Sequence, residues 1–161
     1  GSELLRGRVE KREGGSSRTR WEAVTVPDAT VRASLQLPEH SVGYAWSPGG
    51  RGMMYLDTAD PVRNIHRLDF GAESPVPVTH FTDGRVLGYE LSPDGTRLAV
   101  LRRVGTATNV WVTAADGSQP VQVTQFATED IFSTDWMPDG RRLVVSAGKR
   151  SVDAVLIRSF R

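Results

Sequence analysis

Leu91-Ser92-Pro93-Asp94-Gly95-Thr96-Arg97-Leu98 returns 45 residues later as Trp136-Met137-Pro138-Asp139-Gly140-Arg141-Arg142-Leu143, and 45 residues earlier Trp46-Ser47-Pro48 stands at the same phase. Asn64 and Asn109 keep this interval, as do Ile65, Val110 and Val155, and Thr79 and Thr124 ahead of Phe81 and Phe126. A fixed period of about 40 to 50 residues marks a fold in which each repeat is one supersecondary unit. Trp21 lies two periods before Trp111 and Ser34 two before Thr124, so the divergent N-terminal stretch is expected to continue the series.

Within one repeat, Val86 to Leu91 reads as a strand and Pro93-Asp94-Gly95 as the turn into Leu98-Ala99-Val100-Leu101. Proline presets φ for the turn, and Asp-Gly accepts the left-handed backbone that closes it. The motif is therefore a turn and not a binding loop. A third strand is expected over Asn109 to Thr113 and a fourth over Val121 to Phe126, giving an antiparallel meander. The second strands, Met53 to Leu56, Leu98 to Leu101 and Leu143 to Val145, are apolar without alternation, so both their faces should be covered. Stacked propeller blades do this, whereas a sandwich would expose one face.

The fold class expected is all-β, a β-propeller fragment of about three and a half four-stranded antiparallel blades. Residues 3–37 form an incomplete blade without its innermost strand, 41–82 and 86–127 form complete ones, and 131–160 ends after a third strand at Asp153 to Ser159. Because propellers generally have about four to eight blades, this arc is read as part of a larger ring. Gly1-Ser2 is read as a cloning scar or a cut end. An open arc leaves blade faces and strand edges uncovered, which favours a homo-oligomer that closes the ring.

Composition narrows the partners. The 161 residues carry a net charge of +1, with Arg scattered among Asp and Glu, so the basic face of a nucleic-acid binder is not expected. No apolar run is long enough to span a bilayer, so no membrane insertion by this segment is expected. There is no cysteine, His40, His66 and His80 are dispersed, and no Gly-x-Ser-x-Gly elbow occurs. We expect no catalytic residue, no metal and no cofactor; the chain is not read as an enzyme. Trp46 shares a repeat position with Trp136, and Trp21 and His66 share one with Trp111, which predicts common packing slots between blades.

Loops from each fourth strand to the next first strand share a rim with the loops between second and third strands. The former carry Glu39, His40, Asp83, Arg85, Glu129 and Asp130; the latter include Arg102, Arg103, Lys149 and Arg150. The rim is expected to be acidic inside and basic outside, and to receive a charged protein or peptide partner.

The form apolar-x-Pro-Asp-Gly-x-Arg-Leu at 91–98 and 136–143, with Asn109-Val110-Trp111-Val112, Ala115-Asp116-Gly117 and Val123-Thr124, resembles the TolB-type WD-like propeller repeat of bacteria. The resemblance covers 41–160, and Gly49 and Gly52 depart from it. It implies a non-catalytic binding or sensing module of a larger bacterial protein. The ending Asp153 to Arg161 is similar to propellers that follow a kinase or winged-helix domain in large bacterial sensors. The alternatives it implies are the gating propeller of a prolyl oligopeptidase-like peptidase and a periplasmic TolB-like envelope protein, with the periplasm favoured over the cytoplasm.

Overall fold

The computed structural model describes residues 2–11 and 17–149. Among the described residues thirteen strands build four antiparallel sheets. The first sheet holds β1 (Ser2–Lys11), β2 (Ser17–Val26) and β3 (Val31–Leu35). The second holds β4 (Ser41–Trp46), β5 (Gly52–Asp57), β6 (Ile65–Asp69) and β7 (Val76–Pro77). The third holds β8 (Arg85–Leu91), β9 (Arg97–Val104), β10 (Ala107–Ala114) and β11 (Val121–Gln122). The fourth pairs β12 (Asp130–Trp136) with β13 (Leu143–Gly148). The two four-stranded sheets are sequential meanders, as blades are. The third strand expected at Asp153 to Ser159 lies outside the described residues.

Each Pro-Asp-Gly turn is held by its own side chains. Asp94 accepts hydrogen bonds from the Ser92 hydroxyl at 2.6 Å, the Thr96 hydroxyl at 2.8 Å and the Thr96 N–H at 3.0 Å. These bonds, the Ser92 hydroxyl first, pull the Asp94 carboxyl down to about 2. Gly95 follows at φ +71°, where a Cβ would be strained.

The uninterrupted apolar strands β5 and β9 are buried on both faces, whereas the same expectation fails for β13: Val144 is 55% exposed, on a face that no described sheet covers. Met53 and Tyr55 of β5 turn toward the first sheet and join Leu35, Leu37 and Leu68. Met54 and Leu56 turn the other way and meet Val86, Leu98 and Val100 of the third sheet. On β9, Ala99 and Leu101 complete the series with Val110 and Ile131. Each core thus lies between consecutive sheets, and each fully buried aliphatic side chain contributes about 1.5–3 kcal/mol. Across the same gaps the Tyr89 hydroxyl donates to the Gly43 carbonyl at 2.7 Å, and Trp136 Nε1 to the Glu90 carbonyl at 3.2 Å. The second and third sheets also meet at Gly117, φ +82°, where a Cβ would collide with the Val78 carbonyl.

Two expectations change. The fourth strands are short: β11 ends at Gln122, and Val123 to Phe126 continue outside the ladder. The Val123 N–H still donates to the Val110 carbonyl, and beyond it the Phe126 backbone and the Thr124 hydroxyl are met by the side chain of Asn109, described below. Trp21 also leaves the slot it was expected to share with Trp111 and His66. Trp111 packs toward the sheet before its own and His66 stacks on Tyr55, whereas Trp21 packs forward onto the second sheet, 4.6 Å from the Tyr44 ring. The cause is register. Trp111 pairs with Gln122 and His66 with Pro77, but Trp21 pairs with Leu35, three positions beyond the partner that the 45-residue phase prescribes. An odd offset turns a side chain to the opposite face of a strand.

Candidate functional site

The loops before β4, β8 and β12 sit beside the loops that follow β5 and β9. Thr58 donates to the His40 carbonyl through its N–H at 2.8 Å and its hydroxyl at 2.9 Å, and the Val86 N–H donates to the Val62 carbonyl at 2.8 Å. These contacts form one rim, at the end of the sheets opposite the Pro-Asp-Gly turns.

Two identical side-chain clamps hold this rim. Asn64 Oδ1 accepts from the Thr79 hydroxyl and the Phe81 N–H, both at 2.9 Å, while its Nδ2 donates to the Phe81 carbonyl at 3.0 Å. Thr79 Oγ1 accepts in turn from the Ile65 N–H at 2.9 Å. One period later Asn109 makes the same set with Thr124 and Phe126, and Thr124 Oγ1 accepts from the Val110 N–H. The amide therefore replaces the ladder where the fourth strand leaves the sheet, satisfying backbone groups that would otherwise be orphaned. Asn64 is tied further to Asp60, which accepts from its N–H at 2.9 Å and its Nδ2 at 3.0 Å. In the first sheet Thr19 stands at the Asn position and Ser34 at the Thr position. Arg20 Nε donates to Ser34 there, at 3.2 Å. Among the described residues no Asn clamp of this kind holds that sheet, which fits its offset.

The expected division into an acidic inner and a basic outer set does not survive as two bands, because members of the two sets pair. Arg102 Nη2 donates to Asp83 Oδ1 at 2.9 Å and to the Asp83 carbonyl at 2.8 Å. Arg103 Nη2 donates to Asp130 Oδ1 at 2.8 Å, and the Thr108 hydroxyl reaches the same oxygen at 3.1 Å. Arg102 is a framework residue: its side chain is 5% exposed, and its guanidinium lies 3.7 Å from the Phe81 ring centroid and 4.6 Å from that of Trp111. It wedges the second and third sheets together and offers no accessible charge to a partner.

Glu39 and His40 are exposed in the turn before β4, and Arg85 is exposed at the start of β8. Arg85 lies directly opposite Arg103 across the β8–β9 pair. Like charges directly opposite are unfavourable. Asp130 compensates Arg103, and Arg85 has no ion pair among the described residues. Glu129 is bonded by the Thr128 N–H at 3.3 Å; that and its own N–H lower its carboxyl, with the Lys149 charge adding to the effect. Lys149 is exposed after β13, and Arg150 lies outside the described residues. The accessible rim thus carries Glu39, His40, Asp83, Arg85, Arg103, Glu129 and Lys149. Among the described residues no group of three or more His, Asp or Glu could hold a metal ion, and no helix is long and apolar enough to cross a membrane.

The clamps and the Arg102 wedge are what the sequence reading missed. The signal for the clamps was present in the constant spacing of Asn64, Thr79 and Phe81 from Asn109, Thr124 and Phe126.

No family model and no curated protein matches the chain. Solved structures do. The putative TolB of Agrobacterium tumefaciens matches over 92% of this chain and 52% of its own, at 23% identity and a TM-score of 0.66. TolB of Acinetobacter baumannii matches over 79% of this chain and 31% of its own, at 15% identity and a TM-score of 0.57. The chain spans about half the length of the first structure and about a third of the second. With its four-stranded antiparallel sheets stacked face to face, the chain is a β-propeller fragment of the kind seen in these TolB structures.

Proposed function

We propose that this chain is a non-catalytic binding module of a larger bacterial protein, and that its clamped rim receives a protein or peptide partner carrying acidic groups. The observation that carries the reading is the Arg85–Arg103 pair. Asp130 already meets the Arg103 charge, so Arg85, exposed and without an ion pair among the described residues, is left with a like charge opposite it that an incoming carboxylate would offset. The clamped loops keep that arrangement ready before binding, which limits the entropy lost on association. A sensing role follows if the parent protein joins the module to an output domain. The likeness to TolB structures favours a second reading with the same chemistry, a TolB-like envelope protein of the periplasm. A propeller gating a peptidase would use the ring as a passage and leave the rim arginines without a role.

The test is an array of short peptides of varied charge, probed with the protein and with Arg85→Glu/Lys149→Glu. Arg85→Glu places a carboxylate opposite Arg103, so the variant should fold with unchanged or slightly higher stability. Acidic peptides should bind the parent, more weakly as salt rises, and the variant should lose them. Equal binding of the same peptides by both proteins would refute the reading.

A further inference from the structure

The second and third sheets close on each other more fully than the third and fourth do. In the first gap Trp111 reaches back from β10 onto a core that includes Val78, Leu98 and Val100. One period later the counterparts of those three are Val123, Leu143 and Val145, and with Val112, Trp136 and Arg97 they line a groove of about 370 Å³. Val78 is 4% exposed, whereas Val123 is 49% exposed. The two gaps differ in their third strand: β10 covers the first, and among the described residues the fourth sheet holds β12 and β13 alone.

No described strand lies along the edge of β13 that faces away from β12. An open strand edge beside an apolar groove is a template for one more extended segment. Residues 152–159, Val-Asp-Ala-Val-Leu-Ile-Arg-Ser, stand one period after β10. Moving the β9–β10 register by 45 residues sets Val155 opposite Ser146, Leu156 opposite Val145 and Ile157 opposite Val144. Val145 packs toward the third sheet, so a residue opposite it shares that face and meets the groove. Leu156 is the counterpart of Trp111, which fills the gap one sheet earlier. On the other face Val155 and Ile157 keep the apolar character of Val110 and Val112. Arg150 and Ser151 stand where Gly105 and Thr106 join β9 to β10, a link short enough for a tight hairpin.

We propose that the groove and the open edge of β13 form a strand-acceptor site whose occupant is residues 152–159 of the same chain, added antiparallel with Leu156 as the anchor. The main-chain groups of β13 supply the pairing, and the groove supplies the preference for one apolar side chain. A segment tethered by two residues is held at a far higher effective concentration than the same segment of a second copy, which favours the occupant in cis. Arg158 falls opposite Leu143, toward Arg97 and Arg141; its long stem packs there while the guanidinium extends to water. The proposal is independent of the rim reading, since it uses none of the rim residues.

The experiment is disulfide trapping in the whole chain, which has no cysteine of its own. Ser146→Cys/Val155→Cys places two thiols directly opposite on one face, where Cα atoms about 4.5–5.5 Å apart lie within reach of a disulfide. Ser146→Cys/Ala154→Cys moves the second thiol by one residue and so to the other face. Under a mild oxidant the first pair should close within one chain roughly tenfold faster than the second. Adding Leu156→Asp to the first pair should slow closure several-fold, because a carboxylate does not enter an apolar slot. Mass under non-reducing conditions separates closure within a chain from linkage between chains. Equal rates for the two pairs, no closure of the first, or closure undiminished by Leu156→Asp would overturn the proposal. Linkage between chains would overturn the occupant in cis and assign the groove to the segment of a second copy.

Discussion

Asn64→Ala should lower the unfolding free energy by about 3–4 kcal/mol, the sum of several buried polar groups left without partners at about 1–3 kcal/mol each, less what water recovers. The substitution strips the Phe81 N–H and carbonyl of their partners and leaves the Thr79 hydroxyl, 2% exposed, without an acceptor. It also removes the Nδ2 bond to Asp60, which has no counterpart at Asn109 among the described residues, so Asn109→Ala should cost less. Combining Asn64→Ala with Thr79→Val should cost less than the sum of the single changes, because the valine no longer carries the stranded hydroxyl. Urea unfolding of the parent and the four variants, Asn64→Ala, Asn109→Ala, Thr79→Val and the double, measures this. A loss under about 1 kcal/mol for Asn64→Ala would mean the clamp is ornamental, within the range of a single ordinary hydrogen bond.

The second large effect is expected at Arg102. Its guanidinium is held between Phe81 and Trp111 and bonded to Asp83, so Arg102→Ala removes packing on two rings and two cation–π contacts. Together these are worth about 2–4 kcal/mol. Asp83 remains solvated at 69% exposure, so no buried charge is stranded. Arg102→Met keeps the volume and should lose about half as much. Arg102→Glu should be the most damaging, at about 4 kcal/mol or more, because it sets a buried carboxylate against the negative ring faces and beside Asp83. Unfolding followed by tryptophan fluorescence, to which Trp111 contributes, reads all three; wild-type stability in Arg102→Glu would contradict the wedge. Charge reversal at Arg102 therefore tests the scaffold, and partner binding must be tested at Arg85 and Lys149.

The sequence carried the architecture because the repeat is enforced by packing. A turn every 45 residues and strands apolar on both faces leave little choice but stacked sheets. The site was less legible because charge and exposure separate between neighbours. Arg102 and Arg103 are adjacent in the sequence, yet strand geometry sends one under Phe81 and the other out to Asp130. The Asn64 and Asn109 spacing was visible, but the bonds it serves depend on the fourth strands leaving the ladder early. Trp21 shows the limit of phase: the residue number agrees with Trp111, and an odd register offset still turned it the other way.

Hydrogen exchange of the chain with and without an acidic peptide captured on the array tests most directly the proposal that the rim is the working surface. It predicts slowed exchange in the loop segments 78–85 and 105–106 and at 127–130, with the Pro-Asp-Gly turns at 93–96 and 138–141 unchanged. Protection at those turns with none at the rim would contradict it.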